Sequence, residues 1–315
     1  MRAVQATAFG GPEVLAVTTL PDKEAAPGEV VVAVAAAGVL SVDTMIRSGR
    51  GGDVFPVRPP YVPGLGVAGQ VESVGAGVDG QWIGRRVLAD VDSGGYAEQV
   101  VAEVARLIPI PDALGSREAM ALLHDGSTAL ALFEAVDLRQ GESVLVQPAA
   151  GGLGSLLVQL ARNAGAHVIG AARGSRKLEL AKDLGADVVV DYSAPAWTDQ
   201  LHDVQVVFDG VGGELGRAAF ETTARGGRFS NYGFAGGTSV IDQEDARRRG
   251  VTMHGMEQLT EFQPNRLDRA QRVLREAAAG RIRPVIGQIF PLEKAAEAHA
   301  ALEARGILGK ALLVP

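Results

Sequence analysis

The chain has 315 residues, a formal net charge of −7 and no cysteine. That length predicts about two domains. Without cysteine there are no disulfides, no thiolate zinc site and no cysteine nucleophile. The acidic balance, with no basic tail or lysine run, offers nothing to nucleic acid or an anionic membrane surface. At 47% hydrophobic and 21% charged the composition is that of a soluble globular protein. Met1–Ala8 lacks the apolar core of a signal peptide, and no apolar stretch reaches membrane-spanning length, so the expected location is cytoplasmic.

Residues 1–115 read as all β. Short apolar runs at Ala3–Ala6, Val30–Gly38, Val67–Val74, Gly84–Ala89 and Gly95–Val101 are separated by Gly- and Pro-rich breaks. This spacing predicts a partly open barrel. Between them, Ser41 is placed to cap a helical turn running to Gly49. From Ser116 the pattern changes to helices at Ser116–Leu123 and Ser127–Ala135, then to alternating strands and helices. Strands are expected at Val144–Val146, His167–Gly170, Val188–Val190, Val204–Phe208, Gly227–Gly233 and Val251–Met256. Helices are expected at Arg176–Leu184, Leu215–Ala224 and Leu267–Ala279. Such alternation predicts a doubly wound parallel sheet. The tail from Pro284 regains β character at Ala311–Val314 and is expected to rejoin the first domain. The expected domains are therefore 1–115 with 285–315, and 116–284.

The stretch Glu142–Arg162 organises the second domain. A buried strand leads into Ala149-Ala150-Gly151-Gly152-Leu153-Gly154, and a helix then carries Leu156, Leu157, Leu160 and Ala161 on one face. Strand, glycine turn, helix and strand form the first unit of a dinucleotide-binding fold. Small residues let the backbone approach a pyrophosphate, and the helix start aims N–H groups at it. Ala149 replaces the first glycine of the usual fingerprint, giving A-x-G-x-x-G. About 20 residues past such a turn, an acid normally holds the ribose 2′-hydroxyl of NAD. Here that region reads Gly170-Ala-Ala-Arg173-Gly-Ser-Arg-Lys177, with arginine in place of the acid. A guanidinium attracts a 2′-phosphate, so NADPH is the expected cofactor; a solvated basic helix start is the alternative.

The order of motifs resembles the medium-chain dehydrogenase/reductase superfamily, in its zinc-free quinone oxidoreductase (zeta-crystallin-like) branch. The signs are Gly38–Gly49, Pro60–Gly69, Asp125–Ala129, Ala149–Gly154, Asp209–Gly213, Gly233–Gly237 and Gly309–Leu313. The resemblance spans essentially the whole chain. It implies an α/β protein with a GroES-like, partly open β-barrel catalytic domain and a Rossmann doubly wound parallel sheet. Zinc enzymes of the superfamily place a cysteine near Val39-Leu40 and a His-Glu pair where Leu65-Gly66 stand. His124 falls near a third ligand position, but one imidazole makes no zinc site; a hydrogen-bonded structural histidine is the favoured reading, and no metal is expected. Similar quinone oxidoreductases often carry Asn at Leu40 and Tyr at Met45, so the substrate cleft here is greasier. Asp43 and Arg47 remain as polar candidates, with capping or an ion pair as the favoured role.

The resemblance also implies that Lys177 and Tyr192 join Arg173 around the 2′-phosphate, and that Thr128, Val211, Gly233, Phe234, Gly236 and Lys310 contact the cofactor. The catalytic residues stay open, with Leu40, Asp43, Met45 and Thr128 as candidates. The expected reaction is zinc-independent hydride transfer from NADPH to a small-molecule conjugated acceptor, a quinone or an α,β-unsaturated carbonyl. A narrow biosynthetic enoyl or ketone reductase, or a cofactor-binding sensor or scaffold without turnover, are the alternatives. The uncharged run Val251–Met256 is expected to end the sheet and pair with a second copy in a homodimer.

Overall fold

The chain opens with an antiparallel pair, β1 (Arg2–Ala6) and β2 (Leu15–Thr19), which set Val4 opposite Val17. The long valine-rich run forms β3 (Glu29–Val39) and leads into the short helix α1 (Ser41–Arg47). Then come β4 (Gly66–Val74), β5 (Arg86–Asp90), β6 (Gln99–Glu103) and β7 (Leu107–Pro109). β3 lies antiparallel to both β4 and β6. Their approach is close: a Cβ at Gly69 would lie 2.1 Å from the Ala33 carbonyl oxygen, so only glycine fits there. Val30, Val32, Val67 and Val87 are completely buried between these strands. Burying such a side chain stabilises by about 1.5–3 kcal/mol, which makes this layer the core of the first unit.

α2 (Ser116–Ala135) is one continuous helix of 20 residues where the sequence reads as two. Gly126, which falls between the two expected helices, is buried within it. An interior glycine costs about 1 kcal/mol, and the buried Leu122, Leu123, Ala129, Leu130 and Leu132 around it outweigh that cost.

The parallel sheet follows: β8 (Ser143–Gln147), α3 (Gly152–Asn163), β9 (His167–Ala172), α4 (Ser175–Asp183), β10 (Val188–Asp191), β11 (Val204–Asp209), α5 (Gly213–Glu221), β12 (Thr223–Asn231), α6 (Gln243–Arg249) and β13 (Thr252–His254). The strand order is β10-β9-β8-β11-β12-β13. The direction of winding reverses between β8 and β11, the position at which open α/β sheets bind ligands. Phe220 of α5 meets Phe229 of β12 edge to face, with ring centroids 5.3 Å apart. β13 is only three residues long, shorter than the run Val251–Met256 implies, and it ends the sheet.

After α7 (Gln258–Glu261) and α8 (Arg266–Ala278), the chain returns through β14 (Ile286–Pro291), α9 (Ala295–Glu303) and β15 (Lys310–Val314). β15 pairs antiparallel with β3, completing the sheet order β14-β15-β3-β4-β5-β7. The computed structural model describes residues 1–238 and 240–315, apart from the Asp53 side chain. It forms two compact units. The first holds Met1–His124, Ala270–Ala279 and Pro284–Pro315; the second holds Asp125–Arg269 and Gly280–Arg283. The division falls inside α2, and most of α8 belongs to the first unit rather than to the nucleotide-binding half.

Candidate functional site

In the second unit, β8 runs into the small-residue turn. Ala149 and Ala150 are buried, whereas Gly151, Gly152 and Leu153 are part-exposed at the start of α3. Gly151 caps that helix in extended conformation and no side chain covers its N–H groups. The first N–H groups of a helix have no intrahelical partner, so the exposed end presents donors with nothing acidic in its first turn. Gly154 packs against the strand: a Cβ there would lie 2.0 Å from the Pro148 carbonyl oxygen. These features fit a pyrophosphate cradle.

At the end of β9, Arg173 is exposed and Lys177, one turn along α4, is half-buried. Gly174 between them adopts φ +84° and donates its N–H to Asp191 Oδ2 at 3.0 Å. Asp191, at the end of β10, was not singled out from sequence. Hydrogen bonds from Ser193 Oγ and N–H, then from Gly174, hold its pKa below the usual carboxylate range, and the Arg173 charge adds to this. Tyr192 lies beside this loop but its ring is buried, edge-on to Trp197 with centroids 6.5 Å apart.

The ends of β11 and β12 bring Val211, Gly233, Phe234 and Gly236 together. Gly236 N–H donates to the Val211 carbonyl at 2.6 Å, and Phe234 stands exposed. Under this loop pair lies Asp209, fully buried. Its Oδ1 accepts from Gln147 Nε2 (2.9 Å), Val211 N–H (2.8 Å) and Gly212 N–H (3.0 Å), and its Oδ2 accepts from Asn231 Nδ2 (3.1 Å). Burial raises its pKa and these donors oppose the rise. The acid ahead of paired glycines in Asp209–Gly213 is a signal the sequence offers for this anchor, although that motif was read only as part of the family resemblance. Thr128 is half-buried in α2.

The first unit holds the remaining candidates. Leu40, not Ser41, is the N-cap of α1. Its N–H donates to Asp43 Oδ2 at 2.8 Å, so the acid three residues on does the capping that Ser41 was expected to do. Leu40 and Met45 are half-buried; Asp43 and Arg47 are 2% exposed. Lys310 opens β15, nearly buried beside Gly38. His124 Nε2 lies 3.5 Å from Asp90 Oδ1.

Asp43 and Arg47 belong to a buried network that the sequence did not reveal. Tyr96 Oη reaches Asp43 Oδ2 at 3.1 Å and His299 Nε2 at 2.9 Å, and Arg47 Nη1 lies 3.4 Å from His299 Nδ1. Arg47 also pairs with Glu303. Arginine only donates, so His299 Nδ1 accepts, Nε2–H donates to Tyr96, and the tyrosine hydroxyl donates to Asp43. Burial, then the Arg47 charge, drives the His299 pKa down to about 3, which keeps the ring neutral. Burial lifts Asp43 to about 6 against the bonds from Leu40 and Tyr96 and the charges of His124 and Lys310.

Among the described residues no group of three or more His, Asp or Glu side chains is placed to hold a metal ion. Also among them, no helix is long and apolar enough to cross a membrane. A six-stranded Rossmann sheet with its glycine turn, joined to a GroES-like β unit, defines a two-domain dehydrogenase. The family comparisons agree. Residues 26–112 match the alcohol dehydrogenase GroES-like domain and residues 184–313 the zinc-binding dehydrogenase domain. Quinone oxidoreductase of Rattus norvegicus is 33% identical over 100% of this chain and 98% of its own. The 2-haloacrylate reductase of a Burkholderia species is 29% identical over 97% of this chain and 96% of its own. The structure of mycobacterial Rv1454c complexed with NADPH matches with TM-score 0.90 and 32% identity over 100% of both chains. The chain belongs to the medium-chain dehydrogenase/reductase superfamily, in its zinc-free quinone oxidoreductase branch, and is an oxidoreductase.

Proposed function

We propose that the protein transfers hydride from NADPH, without zinc, to a conjugated acceptor: a quinone or an α,β-unsaturated carbonyl. The observation that carries the reading is the uncapped turn Gly151–Gly154 at the switch point of the sheet, with Arg173 where an NAD enzyme would keep its acid. Ala149, Gly151, Gly152, Leu153 and Gly154 would hold the pyrophosphate. Arg173 and Lys177 would hold the 2′-phosphate, with buried Tyr192 as the wall beneath them. Val211, Gly233, Phe234 and Gly236 would flank the nicotinamide, with Thr128 and Lys310 as further contacts. NADPH supplies the hydride; the protein positions the partners and excludes water. Relatives that reduce quinones and 2-haloacrylate support an electron-poor, conjugated acceptor. The test is NADPH oxidation, followed by absorbance, with a panel of quinones and enones. Steady turnover with some of them is expected. Binding of NADPH without turnover on any would replace this reading with a sensor or scaffold.

A further inference from the structure

The start of α4 is held from outside the helix. Its N-cap is Gly174, which has no side chain to do the capping. Gly174 also stands at φ +84° and ψ 153°, a region open essentially to glycine alone. A glycine turn of this kind is conformationally permissive, so a contact elsewhere must fix it. Asp191 supplies that contact from the neighbouring strand. β10 runs parallel to β9 with Asp191 opposite Ala172, which brings its side chain to the turn just beyond. Oδ2 accepts the Gly174 N–H at 3.0 Å. Oδ1 accepts the Ser193 N–H at 2.9 Å and the Ser193 hydroxyl at 2.5 Å, so the carboxylate is itself braced on its other side. Both cations proposed for the 2′-phosphate hang on the residue so held. Arg173 directly precedes Gly174, and the Lys177 N–H donates to the Gly174 carbonyl at 3.1 Å. A carboxylate this close to a phosphate subsite repels the phosphate. Its place there makes sense only if it does something for the subsite that outweighs the repulsion.

We propose that Asp191 is a positioning residue for NADPH: by holding the Gly174 N–H it sets the direction of Arg173 and of the first turn of α4, and thereby the choice of NADPH over NADH. The inference rests on the 2′-phosphate reading above. The anchor and the charge of Asp191 act on NADPH in opposite directions, which makes the sign of the effect informative. A carboxylate with no holding role would only repel the 2′-phosphate, so removing it would tighten NADPH. A carboxylate that holds the turn leaves Arg173 and Lys177 misplaced when it is removed, so NADPH weakens although a negative charge is gone. NADH carries a neutral 2′-hydroxyl and gains little from either cation, so it is unaffected. Two rival roles give other patterns. A carboxylate that bonds the ribose hydroxyl directly would weaken NADH on removal. One that serves only the stability of the domain would weaken both cofactors alike.

The experiment titrates wild type, Asp191→Ala, Asp191→Asn, Gly174→Ala and the double variant Arg173→Ala/Asp191→Ala with NADPH and with NADH, by fluorescence. Hydrogen exchange of residues 173–177 is followed in the protein without cofactor. Asp191→Ala loses one charge-assisted hydrogen bond to the turn. It should bind NADPH about 10-fold more weakly, bind NADH as wild type does, and exchange the Gly174 amide faster. Asp191→Asn keeps one oxygen for two sets of donors and should fall between wild type and alanine. Gly174→Ala keeps the Asp191 charge and has open space around the new methyl, but strains the turn, so it too should weaken NADPH and spare NADH. Removing Asp191 after Arg173 should cost less than removing it from wild type, because Asp191 acts through the arginine. NADPH bound by Asp191→Ala as tightly as by wild type or more tightly, or NADH weakened as much as NADPH, would overturn the proposal. If Asp191→Ala does not fold, Asp191→Asn and Gly174→Ala decide by the same pattern. A wild type that binds NADH better than NADPH would instead overturn the 2′-phosphate reading itself.

Discussion

Replacing Arg173 by alanine tests the cofactor reading most sharply. The side chain projects into solvent from a loop whose next residue, Gly174, is pinned by its N–H to Asp191. Removing the guanidinium therefore leaves the loop's anchor in place. A charge-assisted hydrogen bond to phosphate contributes about 1.5–3 kcal/mol. Two features of the site favour the lower end. Arg173 is exposed, where screening weakens ion pairs. The Asp191 carboxylate also lies close enough for the Arg173 charge to help hold its pKa down, which offsets part of the positive field. A loss of about 1.5 kcal/mol corresponds to roughly 10-fold in NADPH affinity. NADH carries only a hydroxyl at that position and should bind equally well before and after the change. Fluorescence titration of both cofactors, at low and high salt, measures the asymmetry; the NADPH effect should shrink as salt rises. Equal losses for the two cofactors, or a wild type that prefers NADH, would refute the reasoning.

Exhaustive chelation should leave turnover unchanged, and stoichiometric zinc in purified, active protein would contradict that. β13 ends the sheet as an uncharged strand, Thr252–His254, so a homodimer joined along that edge is expected; sedimentation as a monomer at micromolar concentration would refute it. The buried network also predicts a pH effect on stability. The folded-state pKa of His299 is depressed to about 3, so its neutral form favours folding above the ordinary histidine value, and that contribution is lost as pH falls from 6.5 towards 3. Asp43 is raised to about 6, so it favours folding increasingly as pH falls from 6 towards 3.8 and offsets part of the histidine loss. Asp43→Asn removes the offset, and its stability should fall more steeply than that of wild type between pH 7 and 5, by on the order of 1 kcal/mol. Parallel denaturation curves for the two proteins across that range would sink this account.

The parts of the fold legible in sequence are those where a local pattern and a tertiary need coincide. Val144–Val146, the glycine turn and the apolar face of α3 carry their structure in a few consecutive residues. Where the two diverge, local reading fails. Residues 124–126 fall between two expected helices yet lie inside α2, because buried leucines on both sides hold the helix together. Ser41 looks like a cap, but the Asp43 carboxylate takes the Leu40 N–H instead. The β13 run is apolar enough for six residues and pairs over only three, Thr252–His254 against Arg228–Ser230 of β12.

The network around Asp43 shows why the chemistry of the first unit was less legible than the nucleotide turn. A phosphate cradle is made by consecutive backbone N–H groups, so its signature is contiguous. Tyr96 and His299 stand 203 residues apart, and no spacing rule joins them. Their pairing depends on β15 returning to β3 and on α9 packing beside it. The hydroxyl of Tyr61 and the carboxyl of Asp43 come from a loop and a helix that only the folded chain brings to one recess. A substitution at Asp43 or Tyr96 breaks that network, whereas one at the side chain of Leu40 or Met45 leaves each of its hydrogen bonds in place, so only the first kind should change how stability depends on pH.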